Sequence, residues 1–384
     1  MRASRILVVD DEPGMLRAVE RVLGESHYVI GSRSSTHALS VAVEFNPELA
    51  IVDIRMPELD GFELMTRLKT HFPELDIILM TGSVDDLDEK LVRALRSPAF
   101  YFIQKPFDRE VLKTLVERCL ELRWRREEHR RNLERLETEM AEARAFQQSL
   151  LPARETVVNR LAICCRYTPC SGLGGDLYDY AAGSSGQTAL LIADVSGHGV
   201  SAAMLTGVVK SAFHASQVEG YEPLAVVSRV WTGLAAFSPE RFVTLFAALI
   251  APDDRQLRYV NAGHPSIVLW NGTRNPVWLA STGPIVSPVL PACTWEVVAV
   301  PIDEGDQLLL YTDGVSEVLA GAESDAKARI ETTIERDSAG GALLLDAILA
   351  AVVHDLAGRP QPDDLTLLTA RVLGPTEIAG RAVV

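Results

Sequence analysis

The chain has few cysteines, no long apolar run and no basic segment, and each absence excludes a class of protein. Five cysteines among 384 residues, without CxxC spacing, do not make a disulfide framework or a zinc site, and they fit reduced thiols. No stretch approaches the ~18 apolar residues of a membrane helix. The N-terminus reaches an acid pair after one short apolar run, unlike a signal peptide. We therefore expect a cytoplasmic protein without a membrane partner.

Basic residues are outnumbered in a chain whose formal net charge is −15. Lys and Arg number 15 against 20 acids in residues 1–120, 7 against 7 in residues 121–150, and 15 against 25 in residues 151–384. A protein that binds nucleic acid needs a positive surface to neutralise phosphates, so we expect no nucleic-acid partner. The length predicts two or three domains.

Four aspartates in the last 240 or so residues are the most informative feature. They are Asp176 in GGDLYDY, Asp194 in LIADVSGHG, Asp313 in LLLYTDGVSE and Asp363 in QPDDLTLL. Each adjoins an apolar run, and we expect each to lie at a strand end where the fold gathers them. Gathered carboxylates raise each other's pKa and call for a cation, and oxygen ligands favour Mg²⁺ or Mn²⁺ over zinc. The pattern predicts metal-assisted chemistry on a phosphate group.

In the first 120 residues, strand-like runs alternate with helical patterns. The predicted strands are Ile6–Val9, Tyr28–Gly31, Leu49–Ile54, Asp76–Met80 and Phe100–Ile103. The predicted helices are Pro13–Gly24, Thr36–Glu44, Gly61–Thr70, Asp85–Arg96 and Asp108–Leu122. Five such repeats predict an α/β domain, a doubly wound parallel sheet covered on both faces. Its ligands bind at the carboxyl ends of the strands.

Five polar residues follow these strands: Asp10, Asp11, Asp53, Thr81 and Lys105. Three carboxylates there can hold one Mg²⁺, with Asp53 facing an incoming phosphoryl group and forming an acyl phosphate. Lys105 would neutralise one phosphate oxygen and the Thr81 hydroxyl would donate to another.

Residues 4–122 resemble the receiver domain of two-component response regulators, with a flavodoxin-like fold. The shared strings are the DD pair, DIRMPELDG, TG and KPF. The resemblance implies phosphorylation of Asp53 by a histidine kinase. It also implies Mg²⁺ held by Asp11, Asp53 and the Arg55 carbonyl, with Asp10 supporting through water. Phe102 matches the aromatic switch position of that family, and core packing is an equal alternative.

Residues 108–150 contain neither proline nor glycine and are rich in helix formers. An apolar 3,4 spacing runs for six heptads from Leu112 to Leu150, interrupted by Arg126 and His129. This predicts one long helix, ended by Pro152, that pairs with a second copy as a homodimer through residues 112–150. The alternative is an amphipathic helix lying on the C-terminal domain of its own chain.

Short apolar strands dominate from residue 153 onward. The predicted strands are Leu190–Asp194, Phe242–Ile250, Leu257–Asn261, Ile267–Trp270, Trp295–Val300, Gln307–Thr312 and Leu365–Val372. Three helices are predicted at Ala202–Gln217, Pro223–Phe237 and Leu343–Ala357. The pattern predicts an α/β sandwich of two mainly antiparallel sheets flanked by helices.

Residues 146–373 resemble the metal-dependent serine/threonine phosphatase (PPM) family, in its bacterial stage II sporulation branch. The shared strings are FQQSLLP, GGDLYDY, ADVSGHG, VTLFAALI, NAGHP, YTDGVSE and DDLTLL. The resemblance implies two Mn²⁺ or Mg²⁺ ions, with Asp194 bridging both and the Val195 carbonyl as a further ligand. Asp176 would serve one ion, and Asp313 and Asp363 the other.

Other polar residues have weaker assignments. His198 is a candidate general acid, with a helix-entry role as the alternative. His264 is expected to fix a turn, and Asp179 and Asp364 to orient ligands or water. No residue matches the phosphate-binding arginine of eukaryotic members.

The two resemblances together imply a response regulator whose output is a protein phosphatase. The expected domains are a receiver at 1–122, a helical linker at 123–151, a phosphatase domain at 152–374 and a tail at 375–384. The implied substrate is a phosphorylated anti-sigma-factor antagonist. The alternative is an adaptor that sequesters a partner without turnover. A DNA-binding regulator fits poorly, because no basic recognition helix is evident.

Overall fold

The structure is a computed structural model. It describes residues 2–384 except 83–99, 185, 198, 239, 252–254, 272–274, 291–293, 321–324, 337–339, 376 and 378–384. The chain divides into two compact units, Met1–Leu136 and Glu137–Val384.

The N-terminal unit contains one parallel sheet of order β2-β1-β3-β4-β5. Its strands are β1 (Arg5–Val9), β2 (Tyr28–Ser32), β3 (Leu49–Asp53), β4 (Asp76–Thr81) and β5 (Phe100–Gln104). Its helices are α1 (Pro13–Leu23), α2 (Ala38–Phe45), α3 (Gly61–His71) and the start of α4 (Arg109–Leu150).

Both faces of this sheet are buried, because apolar side chains alternate between them along each strand. In β1, Ile6 and Val8 pack with α1 and α4, whereas Leu7 and Val9 pack with α2 and α3. The doubly wound parallel fold predicted from the sequence is therefore confirmed. The predicted helix at 85–96 lies outside the described residues.

Helix α4 continues without interruption to Leu150, as the absence of proline and glycine predicts. Its first turns bury Leu112, Val116 and Leu120 against the core of the N-terminal unit. Every side chain from 128 to 142 is exposed, including Leu133 at 47% and Leu136 at 56%. Among the described residues, no helix combines the length and apolar character that crossing a membrane requires.

The C-terminal unit stacks two antiparallel sheets between helices. The first sheet has the order β14-β11-β10-β9-β8, with β8 (Asp176–Ala182), β9 (Thr188–Val195), β10 (Val243–Ala251), β11 (Gln256–Ala262) and β14 (Val298–Pro301). The second has the order β13-β12-β15-β16-β7-β6, with β6 (Glu155–Val158), β7 (Leu161–Thr168), β12 (Ile267–Trp270), β13 (Val277–Leu279), β15 (Gln307–Tyr311) and β16 (Leu365–Val372).

A buried apolar layer joins the two sheets, and helices cover their outer faces. Tyr178 and Phe246 of the first sheet pack with Leu310 and Leu368 of the second. Helices α5 (Val200–Ala215) and α6 (Pro223–Phe237) cover the first sheet. Helices α7 (Asp313–Ala320), α8 (Ala326–Arg336) and α9 (Gly341–Leu356) cover the second. This confirms the predicted sandwich.

Several elements differ from the prediction. Strands β6, β7, β8 and β13 and helices α7 and α8 were not predicted from the sequence. Asp176 begins β8 instead of ending a strand, and Asp313 begins α7. The reason for the first is local: two glycines precede Asp176, so the apolar run that forms the strand lies after the acid.

Candidate metal centres

Three acids of the N-terminal unit converge at one edge of its sheet. Val9 pairs with Val52, so the carboxyl ends of β1 and β3 lie side by side and bring Asp10, Asp11 and Asp53 together. One oxygen of each carboxylate lies within 4.8 Å of the other two. Such an all-oxygen trio has the donor type and spacing that a hard divalent cation needs.

Lys105 supplies a cation to the same edge. Its Nζ lies 2.7 Å from Asp10 Oδ2 and 3.0 Å from Asp53 Oδ1. Burial raises the pKa of Asp53, and Lys105 opposes that rise. Burial lowers the pKa of Lys105, but its hydrogen bonds to Asp10 and Asp53 outweigh this, and the net shift is upward. The Lys105 amide also donates to the Thr81 carbonyl at 2.7 Å, which joins the ends of β4 and β5.

The loop after Asp53 packs tightly against the start of α3. The Gly61 amide donates to the Ile54 carbonyl at 3.0 Å, and a Cβ on Gly61 would overlap the Asp53 carbonyl. Arg55 in this loop is exposed. Phe102 is half-buried against the apolar cluster beneath α2 and α3, a position compatible with both a switch and a packing role.

In the C-terminal unit, Asp176 and Asp194 face each other across neighbouring antiparallel strands. They are direct partners in the β8–β9 register. Asp176 is buried, and its Oδ2 accepts hydrogen bonds from the hydroxyls of Thr312 at 2.8 Å and Thr366 at 2.5 Å. These threonines lie at the end of β15 and in β16, so Asp176 connects the two sheets.

The four aspartates influence each other electrostatically. Burial and the charge of Asp194 raise the pKa of Asp176 well above its usual value. Burial, then Asp313 and Asp363, raise the pKa of Asp194 to about 7. Burial and Asp363 likewise raise the pKa of Asp313. Burial and neighbouring carboxylates thus disfavour the charged forms of Asp176, Asp194 and Asp313, and a bound cation would offset this cost.

Two side chains hold the loop that leads into Asp176. Asp364 accepts the amide of Cys170 at 2.7 Å and that of Gly175 at 2.6 Å. From α4, buried Gln147 donates to the Gly174 carbonyl at 2.6 Å and accepts the Gly174 amide at 3.1 Å. From the sequence, Gln147 was placed in the FQQSLLP string and in the 3,4 repeat of the long helix, without a contact assigned to it. A polar residue in an apolar repeat was the signal that could have identified it.

The loop after Asp194 is held by a cation that sequence reasoning missed. Arg241 donates from Nη1 to the Ser196 carbonyl at 2.6 Å and from Nη2 to Ser201 Oγ at 3.0 Å. A Cβ on Gly175 would lie 2.7 Å from the Val195 carbonyl oxygen. Only a glycine at 175 therefore leaves room for this carbonyl. His198 lies outside the described residues.

Asp179 does not join the other acids. Its Oδ2 accepts from Lys210 Nζ at 2.6 Å and lies 2.9 Å from His214 Nε2, both on α5. Because side chains alternate along β8, Asp179 and Asp176 point to opposite faces. This corrects the expectation that Asp179 orients metal ligands.

His264 is buried beside the strand that pairs with Asp194. Its amide donates to Asn261 Oδ1 at 2.9 Å, as expected for a turn. Its Nδ1 lies 2.8 Å from the Thr244 hydroxyl, and Thr244 is the β10 partner of Asp194. Burial lowers the pKa of His264 to about 3, so the ring is neutral.

Two family models match the chain. "Response regulator receiver domain" matches residues 6–117, and "Stage II sporulation protein E (SpoIIE)" matches residues 184–373. The regulatory protein AtoC of Escherichia coli is 34% identical over 131 residues, which cover 33% of this chain and 27% of AtoC. Protein IcfG of Synechocystis is 26% identical over 259 residues, 60% of this chain and 41% of IcfG. The chain thus spans less than half of each relative.

A solved structure shares the C-terminal fold. The SiaA-PP2C domain of Pseudomonas aeruginosa aligns with a TM-score of 0.54 and 20% identity. The alignment covers 62% of this chain and 97% of that domain.

Proposed function

Since the chain joins a response regulator receiver domain to a phosphatase domain of the stage II sporulation protein E type, we propose that it is a metal-dependent serine/threonine phosphatase controlled by phosphorylation of Asp53. The observation that carries the proposal is the pairing of Asp176 with Asp194 across β8 and β9, with the Asp176 carboxylate held by Thr312, which adjoins Asp313, and by Thr366 of β16.

The donor set fits hard divalent cations. In our proposal, Asp194 would serve both of two Mn²⁺ or Mg²⁺ ions, and the Val195 carbonyl would be a further ligand. Asp176 would serve one ion, and Asp313 and Asp363 the other. Bound cations would activate the attacking water and neutralise phosphoryl oxygens. The chain's own contribution is orientation: Thr312 and Thr366 hold the Asp176 carboxylate, and Arg241 holds the loop after Asp194.

In the receiver domain, Asp53 is the proposed phosphate acceptor and a histidine kinase the proposed donor. Asp11, Asp53 and the Arg55 carbonyl would hold Mg²⁺, with Asp10 supporting it. Lys105 already lies 3.0 Å from Asp53 Oδ1, where it can neutralise a phosphoryl oxygen. Thr81, at the end of the adjacent strand, would donate its hydroxyl to another.

The proposed substrate is a small phosphorylated anti-sigma-factor antagonist, and this rests on the family resemblance alone. Dephosphorylation would allow the antagonist to capture an anti-sigma factor and so free a sigma factor.

The proposed signal path is helix α4. Exposed Leu133, Leu136 and Met140 support pairing with a second copy in a homodimer. At the other end of the helix, Gln147 grips both backbone groups of Gly174, two residues before Asp176. A movement of this helix would therefore reach the catalytic aspartates through the Gly174 loop, as well as through α5.

The catalytic assignment is tested by measuring Mn²⁺-dependent hydrolysis of a phosphoserine protein by the full chain and by Asp194→Asn. The matched control is Asp346→Asn, because Asp346 is an exposed acid on α9. We expect Asp194→Asn to be inactive and the control to match the wild type. A fully active Asp194→Asn would reject the site, and partner binding without turnover by the wild type would favour the adaptor function.

The regulatory assignment is tested separately by adding a small acyl phosphate donor to the wild type and to Asp53→Asn. A change of rate in the wild type alone is expected. Equal rates with and without the donor would reject the coupling. Light scattering on the same samples reads the oligomeric state, and a monomer at micromolar concentration would reject the dimer.

A further inference from the structure

A second kind of donor lies beside the phosphatase aspartates. Cys170 Sγ and one carboxylate oxygen each of Asp363 and Asp364 lie within 4.8 Å of one another. Cys170 and Asp363 are partly exposed and Asp364 is buried, so the group opens toward solvent on the thiol side. Hard cations such as Mg²⁺ and Mn²⁺ have little affinity for sulfur, and the thiol therefore has no part in the activity proposed above.

An unpartnered oxygen lies beside Asp364 of the same group. Tyr167 is 8% exposed, and its buried hydroxyl has no hydrogen-bond partner. A Cβ on Gly174 would overlap both the Tyr167 hydroxyl and Asp364 Oδ2, so these oxygens are neighbours across that glycine. A buried hydroxyl without a partner is unfavourable, and a ligand shell beside it would satisfy it.

We propose that Cys170, Asp363 and Asp364 form a binding site for a thiophilic divalent cation of the zinc class, with Tyr167 as a supporting hydrogen-bond donor. One thiolate and two carboxylates are ordinary zinc ligands, and a water can complete four-coordination. As the sulfur–metal bond forms, the thiol proton leaves to solvent. The Tyr167 hydroxyl donates to a carboxylate of the bound group and orients it.

Occupancy of this site has a consequence for catalysis that rests on the proposed function. Asp363 is shared: it is a proposed ligand of a catalytic ion and a member of the thiol group. A cation held by Cys170 therefore competes for Asp363. The thiol makes the phosphatase sensitive to a soft cation that all-oxygen ligands alone would bind less well.

Binding is tested with Co²⁺ on the full chain, because a cobalt–thiolate bond gives a charge-transfer absorption that oxygen ligands do not. We expect the wild type to show a saturable band that Zn²⁺ removes and that Cys170→Ser lacks. Cys164→Ser is the matched control, because Cys164 is partly exposed like Cys170, and it keeps the band. A wild type without the band, or a Cys170→Ser variant that retains it, overturns the proposal.

Tyr167→Phe tests the role of the hydroxyl without removing the aromatic ring that packs in the core, since only one oxygen is lost. It keeps the band and binds Co²⁺ roughly tenfold more weakly, as for other residues that support metal ligands. Unchanged affinity would overturn the role given to Tyr167.

The inhibitory arm measures Zn²⁺ inhibition of Mn²⁺-dependent hydrolysis, with each variant compared with its own rate in Mn²⁺ alone. Cys170→Ser should need roughly tenfold more Zn²⁺ for half inhibition than Cys164→Ser. Equal sensitivity would overturn the competition. An inactive wild type with an intact cobalt band would instead contradict the phosphatase assignment, so the two failures are distinguishable.

Discussion

The two acidic sites of this chain are neutralised differently. In the receiver, Lys105 contacts both Asp10 and Asp53, so the protein itself supplies positive charge to the trio. Among the described residues of the C-terminal unit, the four aspartates form no ion pair, and Asp176 is held by threonine hydroxyls. A site whose carboxylates are neutralised by a lysine of the same chain can keep its arrangement without metal. For a site of repelling, partly buried carboxylates, we expect charge balance to depend on added cations.

Metal removal should produce the largest effect and tests this comparison directly. A chelator should lower hydrolysis on the order of 10³-fold, because the cations supply both water activation and charge neutralisation. Mn²⁺ should restore it. The thermal midpoint of the chelated protein, measured alongside, should rise on adding Mn²⁺. Hydrolysis that persists in chelator would contradict the dependence inferred for this site.

Lys105→Ala should remove the positive charge that distinguishes the receiver site from the C-terminal site. Without the ammonium, Asp10 and Asp53 lose their shared cation, and formation of the Asp53 acyl phosphate should fall on the order of 10²-fold. Phosphate incorporation from a small acyl phosphate donor measures it. Lys105→Arg, which keeps the charge, serves as the comparison. Hydrolysis of a phosphoserine protein in the absence of donor should be unaltered; a matching loss there would show a general folding defect instead.

Gln147→Ala should affect only the C-terminal site, because Gln147 holds the loop that leads into Asp176. Its amide makes two hydrogen bonds to Gly174, and their loss frees the loop that carries Asp176. We expect roughly tenfold lower kcat, a typical cost for residues that support metal ligands. Gln148→Ala is the control, because Gln148 is the next residue in the helix and its own side chain is exposed. Equal rates for the two variants would remove Gln147 from the signal path.

The smallest expected effect is on pH dependence. The pKa of Asp194 rises from 3.8 to about 7 on folding without metal. Between these values the folded state binds more protons, so the free energy of unfolding falls as pH rises from about 4 to about 7. The metal-free thermal midpoint should therefore drop across this window. Asp194→Asn should flatten the slope more than Asp53→Asn, whose raised pKa Lys105 opposes. A midpoint that rises over this window would contradict the charge balance described here.

The receiver fold and its site were predictable because strand ends in a parallel sheet converge, so Asp10, Asp53 and Lys105 could be grouped from order alone. The sheets of the C-terminal unit were harder to predict. β7 and β8 were missed although they are 8 and 7 residues long, because charged and polar residues interrupt their apolar runs, and β8 carries Asp176. Contacts such as Thr366 to Asp176 join residues 190 positions apart, and no local pattern encodes them.

Side-chain direction was the second limit. Asp179 and Asp176 belong to one acidic string, yet alternation along β8 sends Asp179 to Lys210 and His214. Arg241 was missed for a different reason, because its partners are distant in the sequence. Ser196 follows β9 and Ser201 lies in α5, 45 and 40 residues earlier.

Gly174 has a consequence for how this sequence can vary. Its backbone is gripped by Gln147, and the space where a Cβ would stand is occupied by Tyr167 and Asp364. Gly174 thus contacts three parts of the C-terminal unit, namely the linker helix, the loop of Asp176 and the thiol group. It has no room for any side chain. In a library that randomises residues 171–175 and selects for active phosphatase, glycine should be the sole survivor at 174, and no single compensating change elsewhere should rescue its loss.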